Sequence, residues 1–372
     1  MTKVAVISPF KGHYSETFIH DQVQFLSAYD QWLTGGYLPT VKPSGELFSP
    51  IHKMLSKITS HRALGSFVRS ELEKKVGQWL MQHNIDVVLA HYGPTGVHMA
   101  RVCQTYGIPL VVHFHGYDVY RGDELERYSN AYSLIFQQAA ALIAVSKDMV
   151  DDLLNLGATF EKIAYNPCGV NPEEFPRAEL KRNPPEVLFV GRLAKKKRPE
   201  LAIRSFAEVV QQIPEARMKI IGSGVLEKKC KQLVRTLHLQ NHVDFQGAVT
   251  HHKVKEALAK ATVFYLPSGT DEGGNAEGTP VAALEASAAG LPLVASNHKG
   301  LKDAIVHQES GYLVNENATP RDFAKPLISL LRSPNQALKM GRQGMAHIRT
   351  YFSQLDRHKN LYQILRNSAK SF

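Results

Sequence analysis

From Lys3 to Ala295, short apolar runs alternate with amphipathic stretches, and the rhythm breaks once. Lys3–Ser8 reads as a buried strand, and a helix capped by Ser15 follows, with Phe18, Ile19, Val23 and Leu26 as its apolar stripe. Further strand-like runs stand at Asp86–Ala90, Pro109–Val112, Ala141–Val145 and Ile163–Tyr165. Between Cys168 and Pro185, four prolines, a glycine and several charges interrupt the pattern, which reads as a linker. The alternation then restarts with Glu186–Val190, a helix from Pro199, Met218–Ile221, a helix from Leu226, Val243–Phe245, Val263–Leu266, a helix from Pro280 and Leu293–Ala295. Such alternation dictates parallel sheets covered by helices on both faces. A chain of 372 residues is also too long for one comfortable core. The expectation is an α/β protein of two doubly wound, Rossmann-like domains: residues 1–170 and 171–352, with 353–372 a C-terminal helix returning toward the first domain. Ligands of these sheets bind at the carboxyl ends of the strands, so two such edges facing one another across a cleft make the expected site.

Charge narrows the ligand. Residues 1–170 carry 14 Lys and Arg against 15 Asp and Glu, whereas residues 171–372 carry 30 against 19. The second half therefore suits a polyanion: a nucleotide diphosphate, a nucleic acid or an acidic membrane. Three scattered cysteines, Cys103, Cys168 and Cys230, supply neither a disulfide framework nor a zinc site. The apolar run at the N-terminus is too short for a signal peptide, and no segment stays apolar for the width of a bilayer, so the chain is expected in the cytoplasm.

The most informative stretch is Asp271–Ser296. A Gly-rich loop ends at Glu277-Gly278-Thr279, and Pro280 suits the first position of a helix that runs through Val281 and Glu285 and stops near Gly290. A helix N-terminus offers free N–H groups and the positive end of a dipole to a phosphate. A carboxylate beside a sugar or ribose accepts hydrogen bonds from vicinal hydroxyls. An exposed helix with one capping glutamate is the bland alternative, but a glutamate inside the apolar helix Val281–Ala289 asks for a ligand. A second stretch, Val190-Gly191-Arg192-Leu193 followed by Lys195-Lys196-Lys197-Arg198, leaves a strand end and places cations where a diphosphate could be clamped; a solvated basic turn is its plain alternative. A third, His113-Phe114-His115-Gly116-Tyr117-Asp118, follows the strand Leu110–Val112. His-x-His is also a metal-ligand pattern, but no third ligand of suitable spacing accompanies it, and no metal is expected. A buried structural role is the plain alternative for His113.

Together these motifs resemble the retaining glycosyltransferases of the GT-B fold, the large family 4. The likeness rests on Glu277-x7-Glu285 in its Gly-Thr-Pro and Ala-Ala-Gly-Leu-Pro surroundings, and further pieces extend it from Ser15 to Tyr362. The resemblance implies that Glu277 contacts the donor sugar, Glu285 the ribose, and Arg192 and Lys197 the diphosphate. The lysine register is ambiguous among three in a row, and Arg198 stands where the family often has glycine. His115 matches the histidine of the family's His-Gly-x-Asp motif, which lies against the donor sugar. Pro9–Ile19, with Ser-Glu-Thr-Phe-Ile, is similar to the entry found in relatives that build bacterial surface polysaccharides. There Gly12 would let the backbone approach the donor phosphates, while Ser15-Glu16 serves equally as a helix cap. Gly191 and the Ile221-Gly222-Ser223-Gly224 loop, with the region from Gly247 to Val249, would border the nucleotide. Ala90–Gly96 would line the acceptor pocket.

The implied activity is sugar transfer from a nucleotide diphosphate donor, with a UDP-sugar expected ahead of a GDP-sugar, to a hydroxyl of a glycan or lipid-linked acceptor. No cofactor beyond that co-substrate and no essential metal is expected, since no Asp-x-Asp pair is present. A non-catalytic nucleotide-sugar-binding protein, or a GT-B-like epimerase or phosphorylase, is the alternative. No Gly-x-Gly-x-x-Gly follows the first strand, which speaks against an NAD enzyme, and no aromatic–basic RNA motif supports nucleic-acid binding. Residues 51–76 interleave Lys53, Lys57, Arg62, Arg69, Lys74 and Lys75 with Met54, Leu55, Ile58, Leu64, Phe67 and Val68. That pattern fits a helix lying on an anionic membrane at the inner face of the cell membrane, or one whose apolar side enters the core.

Overall fold

The computed structural model describes residues 2–10, 17–47, 62–181 and 183–370. The chain divides into two compact units: unit 1 runs to Pro167 and takes back Arg357 onward, and unit 2 is Cys168–Asp356. Each unit is built on a six-stranded sheet whose strand pairs are all parallel.

Unit 1 begins with β1 (Val4–Ile7) and β2 (Trp32–Leu33), followed by a short antiparallel pair, β3 (Val41–Lys42) and β4 (Gly45–Glu46). β5 (Val87–His91), β6 (Leu110–His113), β7 (Ala141–Ala144) and β8 (Ile163–Tyr165) complete the sheet in the order β2-β1-β5-β6-β7-β8. Every residue of β1, β5, β6 and β7 is buried, which is why these strands read as unbroken apolar runs. The final helix, Gln354–Lys370, puts Leu361 and Leu365 into the same core as Val4, Val6 and Val87. Asn166 fastens it: its Nδ2 donates to Arg357 O at 3.2 Å, and its Oδ1 accepts from Asn360 Nδ2 at 3.1 Å.

Of the basic stretch 51–76, residues 51–61 lie outside the described residues. The remainder belongs to the helix Arg62–Gln82, where Leu72, Val76, Trp79 and Leu80 are buried in unit 1. In the described part of this helix, the apolar side therefore serves the core. No helix among the described residues is long and apolar enough to cross a membrane.

Unit 2 holds β9 (Glu186–Val190), β10 (Arg217–Ile221), β11 (Val243–Gly247), β12 (Val263–Leu266), β13 (Leu293–Asn297) and β14 (Gly311–Asn315), in the order β11-β10-β9-β12-β13-β14. The order reverses between β9 and β12. That is the switch point of a doubly wound sheet, where loops diverge and leave a crevice at the strands' carboxyl ends. The stretch 168–185 is not a free linker, which corrects the sequence reading. Val170, Phe175 and Leu180 are buried in the core of unit 2. Val170 N donates to Phe352 O at 2.9 Å, Ala178 N to Ala289 O at 2.9 Å and Glu179 N to Ala259 O at 2.9 Å. Its apolar residues lie between prolines without a helical or strand period, so their packing left no pattern to read.

Candidate active site

The carboxyl ends of β9, β10 and β11 lock into one another. Gly191 N donates to Ile221 O at 2.9 Å, Leu193 N to Ser223 O at 2.9 Å and Gly222 N to Gly247 O at 2.8 Å. Gly222 has φ +130°, and a Cβ there would come within 2.0 Å of Gly191 O. Only glycine lets these turns close, because the position combines left-handed backbone with direct backbone contact. Gly191 and Gly222 are thus brought together. Val249 lies two residues beyond Gly247, half-buried against the unit 2 core.

The turn after Gly191 separates the cations by role. Arg192 is exposed and makes no ion pair or hydrogen bond through its side chain among the described residues. Lys195 reaches outward to Glu272, Nζ to Oε2 2.5 Å. Lys196 turns in, donating to Ala276 O at 3.0 Å, and burial lowers its pKa. Lys197 also turns in: its Nζ stands 3.0 Å from Glu277 Oε1, with only 12% of the lysine side chain and 7% of the glutamate side chain exposed. Of the three consecutive lysines, Lys197 is therefore the one that meets Glu277. Burial alone pushes the Glu277 carboxyl up and is the largest single influence. The nearby ammonium groups of Lys197 and Lys196, the Lys197 hydrogen bond and His298 together outweigh it and hold the group down at about 2. Glu277 is a carboxylate at any physiological pH.

Arg198 takes the left-handed conformation, φ +47°, ψ 50°, where glycine is at home. Its guanidinium occupies the space beside Gly269, where a Cβ would lie 2.1 Å from Arg198 Cζ, and donates to Glu316 O at 2.5 Å. Arg198 thus anchors the loops after β12 and β14.

Gly278 packs against Gly300, whose hypothetical Cβ would come 1.8 Å from Gly278 O. Thr279 Oγ1 accepts from Cys168 N at 3.2 Å. Pro280, at φ −81° and ψ 77°, caps the helix from one position outside it, so the helix is Val281–Ala288 rather than starting at the proline. Glu285, on this helix, carries a partner the sequence reading missed. His251 Nε2 lies 2.9 Å from Glu285 Oε1, and that hydrogen bond raises the imidazole's pKa. His251 opens the helix His251–Lys260 just past the Gly247–Val249 turn, which was the one signal available for it. His298, directly after β13, is a second missed residue: its Nδ1 sits 2.5 Å from Glu316 Oε2, and it is 4% exposed.

In unit 1, the switch point falls between β1 and β5. Gly12, after β1, lies outside the described residues, as do Ser15 and Glu16. His115 does lie at a strand end, and Asp118 explains how it is held. The buried Asp118 carboxylate accepts from His115 N at 3.0 Å, Gly116 N at 2.9 Å and Gly93 N at 2.8 Å, tying the loop after β6 to the loop after β5. Burial raises the Asp118 pKa, and these amide bonds restrain it to about 6. The expectation that His113 and His115 lack a third companion fails. β5 pairs with β6 in the register His91↔His113, and His91 Nδ1 lies 2.9 Å from His115 Nε2. A partner 22 residues upstream was invisible to a spacing argument because strand pairing supplies it.

Comparison with known proteins places this arrangement. The family model described as Glycosyl transferases group 1 matches residues 170–347, and the model described as Glycosyltransferase Family 4 matches residues 54–174. The amylovoran biosynthesis glycosyltransferase AmsK of Erwinia amylovora is 31% identical over 288 residues, spanning 76% of this chain and 70% of AmsK. The chain belongs to the group 1 glycosyl transferases. WcaL of Escherichia coli (strain K12), named as a colanic acid biosynthesis glycosyltransferase, is 33% identical over 245 residues, 65% of this chain; the match spans 60% of WcaL's length. Among solved structures, Anabaena Alr3699/HepE in complex with UDP and glucose superposes with a TM-score of 0.77 at 18% identity, covering 99% of this chain and all of that one. The fold is GT-B. Within this family, Arg192, Lys197, Glu277 and Glu285 fall in the segment matched by the group 1 model, and His91, His113 and His115 in the segment matched by the family 4 model.

Proposed function

We propose that this chain is a retaining glycosyltransferase. It moves a sugar from a nucleoside diphosphate donor, a UDP-sugar ahead of a GDP-sugar, to a hydroxyl of a glycan or lipid-linked acceptor in bacterial polysaccharide or glycolipid assembly. The observation that carries this reading is the largely buried Lys197–Glu277 pair at the switch point of unit 2, with Arg192 in the same turn exposed and unpaired among the described residues. A permanently ionised carboxylate suits sugar hydroxyls, and two adjacent cations suit a diphosphate whose charge grows as it departs. AmsK and WcaL, both named for polysaccharide biosynthesis, support the acceptor class, and HepE with UDP and glucose supports the donor class.

In the proposed reaction the bond between the anomeric carbon and the diphosphate oxygen breaks, and the acceptor oxygen bonds to that carbon from the same face. The acceptor's proton passes to the departing diphosphate oxygen. Arg192 and Lys197 stabilise the leaving group, which supplies the cationic charge without a divalent metal. Glu277 orients the sugar, with His115 assigned to the same sugar, and Glu285 takes the ribose hydroxyls. Gly191, Gly222, Gly278, Thr279, Pro280, Val281 and Val249 frame the nucleotide, and Gly12 is assigned to the phosphates. We place the enzyme at the cytoplasmic face of the membrane, with residues 51–76 as the contact to anionic lipid.

The test is donor turnover followed by NMR, with UDP- and GDP-sugars and a polyprenyl-linked acceptor fraction, in the presence of chelator. Acceptor-dependent release of nucleoside diphosphate with an unchanged anomeric configuration is expected. Binding without turnover under every condition overturns the catalytic reading; an inverted product overturns retention; loss of turnover on chelation overturns metal independence.

A further inference from the structure

The three histidines of unit 1 have more in common than a hydrogen bond. His91 ends β5 and His113 ends β6, in register across a parallel pair, so their side chains rise from the same face. His115 lies two residues beyond His113 and returns to that face. Ring centroids are 5.4 Å apart for His91 and His113, 5.2 Å for His91 and His115, and 4.3 Å for His113 and His115. Each ring offers a nitrogen within 4.8 Å of the others.

The hydrogen bonds of this cluster do not close. His91 and His115 share one bond, but His91 Nε2 and both ring nitrogens of His113 are buried with no partner among the described residues. His91 is fully buried and His113 1% exposed. Leaving a buried polar atom without a partner is costly, so the orphaned His113 nitrogens beside the His91–His115 pair call for a ligand. Burial lowers the pKa of all three rings, which leaves them neutral with lone pairs available near pH 7. After burial, the groups that shift His115 are the other two imidazoles. The Asp118 carboxylate, bound to His115 N, adds negative charge at the base of the loop.

We propose that His91, His113 and His115 form a site for one divalent transition-metal ion of the zinc class, with a fourth coordination position left open. Three imidazoles with an open position are a donor set for Zn²⁺, Co²⁺, Ni²⁺ or Cu²⁺. At Zn–N bonds of about 2.0–2.1 Å, tetrahedral nitrogens stand roughly 3.3 Å apart. The 2.9 Å between His91 Nδ1 and His115 Nε2 therefore needs an opening of about 0.4 Å, and the His113 nitrogen, within 4.8 Å of the others, an approach of up to about 1.5 Å. The site stands independently of the transferase reading. It bears on that reading at one atom, because an ion bound at His115 Nε2 withdraws that nitrogen from a sugar.

The experiment titrates Co²⁺ into chelator-treated full-length protein and follows visible d–d absorption, with Zn²⁺ as competitor. The wild type is expected to bind one Co²⁺ per chain with a tetrahedral-type spectrum that Zn²⁺ abolishes. His91→Gln and His113→Gln should each weaken that signal by tenfold or more. His115→Gln, at the half-buried loop position, serves as the variant least able to disturb folding, with circular dichroism as the control. Absence of the spectrum in the wild type, or its persistence at the same affinity in His115→Gln, overturns the site. In the transfer assay, Zn²⁺ is expected to inhibit the wild type; metal binding without inhibition upholds the site and overturns instead the assignment of His115 to the donor sugar.

Discussion

Replacing Glu277 with glutamine tests the electrostatic centre of unit 2. In the folded protein this carboxyl is held at about 2, against an ordinary value of 4.5. A depression of roughly 2.5 units at about 1.36 kcal/mol per unit is worth about 3 kcal/mol. Because the folded pKa lies below the unfolded one, the unfolded chain binds the extra proton as pH falls. The contribution is therefore complete above about pH 5 and is lost between the two pKa values. By pH 3.5, one unit below the ordinary value, roughly 1 kcal/mol of it is gone. Glu277→Gln removes the charge and leaves Lys197 and Lys196 without their counter-ion, a loss of the kind that breaking a buried pair produces. The variant is expected to be about 3 kcal/mol less stable at pH 7, a fall in Tm of roughly 6–12 °C for a unit of this size. Urea unfolding of both proteins between pH 7 and pH 3.5 is the assay, read in the transition that belongs to unit 2. The stability gap should narrow by roughly 1 kcal/mol across that range. A gap that stays constant with pH refutes the reasoning, since it would mean that Glu277 is not held ionised by the lysines.

Three further outcomes follow. Gly222→Ala is expected to destabilise by more than about 2 kcal/mol in thermal unfolding, because the new methyl meets Gly191 O at a left-handed position; a change under about 0.5 kcal/mol would contradict the interlocked turns. The Glu285 hydrogen bond raises the His251 pKa, so its stabilisation is full below the ordinary histidine value and disappears as pH rises through the folded one. His251→Ala should accordingly cost more stability at pH 5.5 than at pH 8.5, and equal costs would show that the pair is not charged. Full-length protein should sediment with anionic vesicles but not with neutral ones, and charge reversal at Lys53 and Lys57 should reduce it; equal recovery with both lipids would remove residues 51–76 from the membrane proposal.

How much of this was readable depended on whether a feature was local. Val263–Leu266 is buried throughout and reads as a strand from its composition alone. β14 was missed because Tyr312, Leu313 and Val314 are only half-buried at the sheet edge, behind a Ser-Gly turn. β2 has just two residues, too few for any period to show. The Gly-rich turn at Gly222 was legible because close backbone approach demands glycine there. Its interlocking was not, since it depends on strand order. The same limit hid His91, His251 and His298: each meets its partner through register or helix placement that no spacing in the chain encodes. Arg198 looked like a departure from pattern and proved to be a left-handed residue with its own anchoring bonds.

The claim that unit 2 holds a nucleoside diphosphate is tested most directly by calorimetric titration of UDP, GDP, ADP, CDP and NAD into the wild type, Arg192→Ala and Glu285→Ala. Arg192 is exposed and unpaired among the described residues, so its removal should leave stability within about 0.5 kcal/mol and report on the ligand alone. UDP is expected to bind the wild type and to lose about tenfold or more in affinity in each variant, about 1.4 kcal/mol apiece. Binding of NAD alone, of no diphosphate, or of UDP with undiminished affinity in both variants would contradict the account.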